Sequence, residues 1–350
     1  MAGFALGGII LAVVCNVLLL SFSKSLGIRN KNDVIVRWSS ESKPSLGGVS
    51  LFMVFLFAAI GYSIVFGEIN IFQNHKYVGL FLAGSLAFAM GLADDAYNTK
   101  PLLKLGVQIL CGVIFVLSGT YVMIFDNMYI DGGLTILWVI IIMNSLNMLD
   151  NMDGITGTTS LFILIACLVS SWIILGFNMN IWSLSLVSMI GALIGFLSMN
   201  IHPSKLFMGD AGSQFIGVFV AFFGMEFLIN AGTHLRQHSW LGLCVAIVAF
   251  TPAAVDTLTV VINRLKRGQS PMVGGKDHTT HHLVYAGLND IKVWYVFVGI
   301  GAGGSALAIL MVYLIDLSIV LPILFFLAYF VVVFILLYRN TIKYPQNKGK

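Results

Sequence analysis

Asp94, Asp95, Asp150, Asp153, Asp210 and Asp256 fall at or near the ends of long apolar runs in a 350-residue chain that is 58% hydrophobic and 10% charged. Adjacent carboxylates such as Asp94 and Asp95 repel unless a cation lies between them, so the pair suits a metal-bound or phosphate-handling site; a solvated helix end is the plain alternative. Lys104 and Gln108, one turn apart, open the next run. Asn144-Ser-Leu-Asn147-Met-Leu-Asp150-Asn-Met-Asp153-Gly154 repeats a polar group every third residue, which on a helix lines one stripe at a membrane end. Phe207-Met-Gly-Asp210-Ala-Gly-Ser213 sets a carboxylate in a glycine-flanked turn before an apolar run, where free backbone N–H groups favour phosphate; Asp210 as a simple cap is the bland reading. Asp256 lies inside an apolar run, where an ionisable group is a functional candidate by default, unless it merely pairs with Arg264 two turns on. Then come Lys266, Arg267 and Gly274-Gly-Lys276-Asp277-His278-Thr-Thr-His281-His282. Zinc is one use for three imidazoles, but no His-Glu-x-x-His pattern is present, and cations beside a glycine turn suit phosphate equally well.

The elements that must carry these groups are membrane helices. With a mean hydropathy of +0.95, the apolar runs exceed what a soluble core needs. The sequence predicts an all-α polytopic bundle of about eleven spans: Gly3 to Phe22, Gly47 to Phe66, Tyr77 to Leu92, Leu105 to Met123, Leu134 to Leu149, Thr158 to Leu175, Ile181 to Met199, Ser213 to Ile229, Trp240 to Ile262, Trp294 to Tyr313 and Leu317 to Tyr338. The runs are continuous, without the alternation of a β-barrel. The first lacks a cationic start and a cleavage site, so it reads as a retained helix. Cys15, Cys111, Cys167 and Cys244 sit inside runs at unrelated spacings, as packing residues would.

Every Lys and Arg except Lys76 and Arg236 falls on the face that carries the six aspartates. Basic residues accumulate in cytoplasmic loops, so the N-terminus is expected outside, the C-terminus inside and the aspartates cytoplasmic. The net charge of +4 reflects that bias and not nucleic-acid binding. Residues 1–350 read as a single domain, its chemistry carried by loops at about 23–46, 93–104, 150–157, 200–212 and 263–293. An ion-coupled transporter is the rival class, since intramembrane carboxylates also build ion pathways, but those sites lie at mid-membrane, often in repeated halves. An intramembrane aspartyl protease needs two aspartates within facing helices, and Asp210 is expected to precede its helix.

Taken together and in this order, the motifs resemble the polyprenyl-phosphate N-acetylhexosamine-1-phosphate transferase family, bacterial glycosyltransferase family 4. The resemblance runs from Lys43-Pro-Ser-Leu-Gly47-Gly48 to the histidine loop. It implies transfer of a sugar 1-phosphate from a UDP-N-acetylhexosamine to polyprenyl phosphate, with release of UMP, at the cytoplasmic face of a bacterial inner membrane. It also implies Mg²⁺, with Mn²⁺ as a substitute, and leaves a homodimer open. By the same resemblance, Asp94, Asp95, Asp150 and Asp153 are catalytic and Asp210 is the metal ligand. Lys104, Asn147, Asp256, Arg264, His278, His281 and His282 contact substrate. Asn151 stands where many members have Gly, and Thr279 where the first His of His-x-His-His is expected. The long 268–282 segment looks like the N-acetylglucosamine branch; phospho-MurNAc-pentapeptide transfer is the alternative.

Overall fold

The computed structural model describes residues 1–25, 43–66, 71–271 and 274–345. Most of the predicted 23–46 loop, with Arg29, Lys31 and Arg37, lies outside them. The described residues hold no strand. In chain order the helices are α1 (Ala2–Ser25), α2 (Gly47–Val65), α3 (His75–Tyr97), α4 (Pro101–Leu117), α5 (Met128–Leu149), α6 (Ile155–Leu175), α7 (Ile181–Asn200) and α8 (Gly209–Gly224). A single π-helical turn, Met225–Ile229, leads on to α9 (Ala231–His234), α10 (Trp240–Ala249), α11 (Thr251–Lys266), α12 (Thr279–Tyr285), α13 (Asp290–Asp316) and α14 (Leu321–Lys343). Asparagine starts four of them: Asn74, Asn127, Asn180 and Asn289 each accept a backbone N–H through the side-chain carbonyl, satisfying a donor that an unfinished helix leaves open.

Among the described residues nine helices are long and apolar enough to cross a membrane, α8 being taken together with its π-helical turn, or ten if α10 and α11 count as one span, and α4 is a shorter apolar helix. Each of the eleven predicted runs therefore finds a helix, but the ninth is not straight. It breaks at Phe250 with a bend of 81°, where Pro252 enters the first turn of α11 and removes a helix donor.

α8 is the axis of the bundle. All its residues from Ala211 to Gly224 are buried, as expected of a helix apolar on every side. α2, α3, α5 and α6 pack around it, and Phe215 and Phe219 meet the rings of Phe52 and Phe55 from α2 edge-on or tilted. α1 lies along α7, where Gly8 faces the Ser188 carbonyl and Gly191 the Ala5 carbonyl; small residues let membrane helices close up in this way. α1 and α14 are only 17% buried over their apolar windows, which puts them at the rim. The axis matters because its first turn carries Asp210.

Candidate active site

The site begins where α3 stops. Asn98 turns left-handed at φ 50° and its N–H closes on the Asp94 carbonyl, leaving both aspartates on the final turn. They face different ways. Asp94 Oδ1 accepts from the Thr99 N–H at 2.8 Å and the Thr99 hydroxyl at 2.6 Å, while Oδ2 forms an ion pair with the Lys104 ammonium. Asp95 instead accepts the N–H groups of Asp210 and Ala211, at 3.1 and 2.9 Å. It is the cap of α8, whose own N-cap residue, Met208, supplies no side-chain acceptor. A carboxylate at a helix N-terminus answers both the open donors and the helix dipole.

Two glycines allow this approach. A Cβ on Gly91 would lie 2.3 Å from the Asp210 carbonyl, so α3 reaches α8 only without a side chain there. Gly209 has φ +74°, and a Cβ would meet the Ser45 carbonyl at 2.5 Å and Asp95 Oδ2 at 2.9 Å. The Lys43-Pro-Ser-Leu-Gly-Gly segment closes the other side. The Pro44 carbonyl accepts from Phe207, and Gly47 and Gly48 donate to the carbonyls of Phe207 and Met208, all at 2.9 Å.

Asp210 lies in the first turn of α8, not ahead of it as expected from sequence, because the helix starts at Gly209 and not at Ser213. Its Oδ1 accepts from Asn147 Nδ2 at 2.7 Å and lies 3.4 Å from Lys104 Nζ. Asn147 Nδ2 also donates to the Ser213 hydroxyl at 2.8 Å. Two carboxylates from α3 and α8 thus converge on one cation from α4. Below them an amide ladder of Asn144, Gln108 and Gln214 runs into the bundle.

The predicted polar stripe is cut short. Asn144 and Asn147 are on α5, but the helix ends at Leu149, so Asp150 and Asp153 leave its face. Asp150 is the C-cap, its N–H on the Asn147 carbonyl. Asp153 turns to the 200–205 loop, where it accepts the Ser204 hydroxyl at 2.8 Å and the Ser204 N–H at 3.1 Å, with His202 Nδ1 at 3.2 Å. His202 also lies 3.7 Å from Asp290.

The histidines form a second cluster. Asp256 is fully buried and holds the start of α12: His278 Nδ1 is 2.8 Å from Oδ2, and Oδ1 accepts the N–H and hydroxyl of Thr279 at 2.8 and 2.6 Å. Arg264 does not pair with Asp256. Its Nε and Nη2 fork onto Asp277 at 3.1 and 2.7 Å, and Nη1 reaches the Pro271 carbonyl. Burial raises the Asp277 carboxyl, but Arg264, joined by Arg267, outweighs this and holds it at about 2. Burial, with the charge of His278 beside it, holds His281 down at about 3, and burial also lowers His282. Among the described residues no group of three His, Cys, Asp or Glu is gathered as a metal cage.

The two clusters meet at the 150–154 turn, where the Thr280 hydroxyl donates to Asn151 Oδ1 at 2.6 Å. Thus Asp94, Asp95, Lys104, Asn147 and Asp210 form one group, Asp256 and His278 another. Sequence reasoning missed Thr99, Ser213, Thr280, Ser204 and His202, small or single groups whose partners are remote in the chain. Asp277 was visible beside the histidines, but nothing in its spacing tied it to Arg264.

The carboxylate group fits a hard cation. Its donors are oxygens already converging on an ammonium, and Mg²⁺ typically takes one or two protein carboxylates and completes its shell with water and substrate phosphates. Residues 77–228, which contain this group, match the family model of glycosyl transferase family 4. A Bacillus subtilis protein named "Probable undecaprenyl-phosphate N-acetylglucosaminyl 1-phosphate transferase" is 26% identical over 257 residues, covering 70% of this chain and 67% of that protein. A Mycolicibacterium smegmatis decaprenyl-phosphate N-acetylglucosaminephosphotransferase is 30% identical over 257 residues, 64% of this chain and 61% of the relative. An Escherichia coli undecaprenyl-phosphate alpha-N-acetylglucosaminyl 1-phosphate transferase is 26% identical over 268 residues, 71% and 66% of the two chains. The match therefore spans about two thirds of the length of these relatives. On these motifs and this match, the chain is similar to glycosyl transferase family 4 over residues 77–228.

Proposed function

We propose that the protein transfers N-acetylglucosamine 1-phosphate from UDP-N-acetylglucosamine to a polyprenyl phosphate at the cytoplasmic face of a bacterial membrane, starting a lipid-linked envelope polysaccharide. The observation that carries this reading is the convergence of Asp94 and Asp210 on Lys104, a cation between carboxylates at the end of membrane helices. The names of the relatives support the choice of acceptor and sugar.

In this mechanism a lipid phosphate oxygen bonds to the phosphorus next to the sugar. The bond from that phosphorus to the oxygen bridging the diphosphate breaks, and UMP leaves with that oxygen. A phosphate monoester with a second pKa of about 6 is already mostly dianionic near neutrality, so no strong base is required. Lys104 binds the lipid phosphate, and Asp94, fixed by Thr99, orients the ammonium. Asp95 is a positioning residue, because α8 occupies both its oxygens. Asp210, held by Asn147, would ligate Mg²⁺ together with substrate phosphates. When bound, the ion neutralises charge on the diphosphate, as fixed cations do in phosphoryl transfer generally. Asp150 and Asp153 shape the nucleotide side, and His281 and His282 face the diphosphate or sugar.

Purified protein, Mg²⁺, undecaprenyl phosphate and a panel of UDP-sugars test this reading by UMP release and label transfer to lipid. Transfer from UDP-N-acetylglucosamine that needs both metal and lipid is expected. Transfer only from UDP-MurNAc-pentapeptide would move the chain to the peptidoglycan branch, and no transfer from any sugar by folded protein would sink the proposal.

A further inference from the structure

The end of α14 lines a cavity of about 560 Å³ with Leu336, Arg339, Asn340, Ile342, Lys343 and Tyr344, none of them in the carboxylate group. Beside it α14 is tied to α11: Lys266 Nζ donates to the Tyr338 hydroxyl at 2.6 Å and Asn263 Nδ2 to the Thr341 hydroxyl at 3.0 Å. Lys266 and Arg267 end α11, and Arg339 and Lys343 lie in the last turns of α14. The carboxylate of this region, Asp277, is already paired with Arg264 and Arg267. Arg339 and Lys343 are exposed and have no carboxylate partner among the described residues. The side-chain nitrogen of Asn340 is buried without a hydrogen-bond acceptor. Leu336 and Ile342, in contrast, are 63% and 62% exposed on a helix apolar enough to span a bilayer.

We propose that this cavity binds the phosphodiester headgroup of an anionic phospholipid. Arg339 and Lys343 pair with the phosphate, and the acyl chains run along Leu336 and Ile342. A free phosphate would satisfy the cations but leave the apolar side chains uncovered, and basic clusters at the end of a membrane helix suit anionic lipid. The site is wired to the histidine cluster. His282 Nδ1 lies 2.6 Å from the Tyr344 carbonyl; a carbonyl only accepts, so His282 carries a proton on Nδ1 and the residue next to Lys343 steadies α12. A headgroup that orders Lys343 and Tyr344 therefore steadies His282, and this last step rests on the proposed transferase function.

The test uses the full chain in nanodiscs of phosphatidylcholine with and without phosphatidylglycerol, and counts retained lipid by native mass spectrometry. The wild type is expected to retain phosphatidylglycerol. R339Q/K343Q should retain roughly tenfold to thirtyfold less, from about 1 kcal/mol per basic residue near an anionic surface. K292Q, an exposed charge elsewhere, is the control and should match the wild type. Equal retention by wild type and the double variant would overturn the site. So would displacement of the lipid by inorganic phosphate, or by undecaprenyl phosphate, which would make the cavity an acceptor site. Phosphatidylglycerol should also raise sugar transfer by the wild type and not by the double variant. If retention behaves as stated but no sugar is transferred in any lipid, the transferase reading fails and the lipid site stands.

Discussion

Lys104→Met removes the cation on which Asp94 and Asp210 converge while keeping the length of the side chain. At 3.4 Å and an effective dielectric of about 20, the Lys104–Asp210 pair alone is worth about 5 kcal/mol before desolvation and the mutual repulsion of the two carboxylates are subtracted. Asp94 is 5% exposed at its side chain and Lys104 23%, so solvent screens part of the loss. Removing one partner of a buried pair costs about 3–5 kcal/mol, and with that screening about 2–3 kcal/mol is expected here. The two carboxylates left behind should then prefer a divalent ion. A ligand at a hundredfold excess over its Kd returns about 2.7 kcal/mol, so Mg²⁺ should restore most of the lost thermal stability of Lys104→Met and do less for the wild type. Turnover should stay low even in saturating Mg²⁺, with KM for the lipid raised, because the ammonium that holds the lipid phosphate is gone. The assays are thermal unfolding of detergent-solubilised protein over a Mg²⁺ series and steady-state UMP release. A variant as stable as the wild type without Mg²⁺, or one indifferent to Mg²⁺, would refute the claim that these carboxylates share one cation.

Gly91→Ala should cost at least about 2 kcal/mol, since a Cβ 2.3 Å from the Asp210 carbonyl forces α3 away from α8, and UMP release should fall with it. Arg264→Lys keeps the charge but loses the fork onto Asp277; faster hydrogen exchange in 274–285 is expected, and unchanged exchange would show that the fork does not hold the loop. Asp277 is held at about 2, below its unfolded value of about 3.9. Its contribution is therefore full above about pH 4 and lost as pH falls through 2, and Asp277→Asn should remove that acid limb from a pH series of loop protection. His281 is held at about 3, below the ordinary 6.5. The unfolded segment takes the proton first, so α12 is most stable above pH 6.5 and loses up to about 1.4 kcal/mol per pH unit below it. Exchange of residues 279–285 at pH 7 and pH 5 checks this, and His281→Asn should flatten the dependence.

The carboxylate group was legible because polar residues at the ends of apolar runs have few structural uses, and several such ends had to share one face. That logic found Asp94, Lys104, Asn147 and Asp210 without any knowledge of how the helices pack. It could not see which partner each group would take. Asp94 and Asp95 are neighbours in sequence, yet one turns to Lys104 and the other to the open N–H groups of α8, a division set by the contact that Gly91 permits. Helix ends account for the other differences. A stripe read at three-residue spacing holds only while the helix lasts, and α5 stops at Leu149, which hands Asp153 to Ser204. The same limit applies to Asp256 and Arg264, eight residues apart on α11. Spacing along one helix made their pairing reasonable, but α12 brings His278 and Thr279 to the first, and the loop before it brings Asp277 to the second. Once both groups are satisfied by chain-distant partners, the spacing between them carries no energy. Along a membrane chain the period of the sequence therefore locates a site, while loops and short helices beyond the spans decide its pairings.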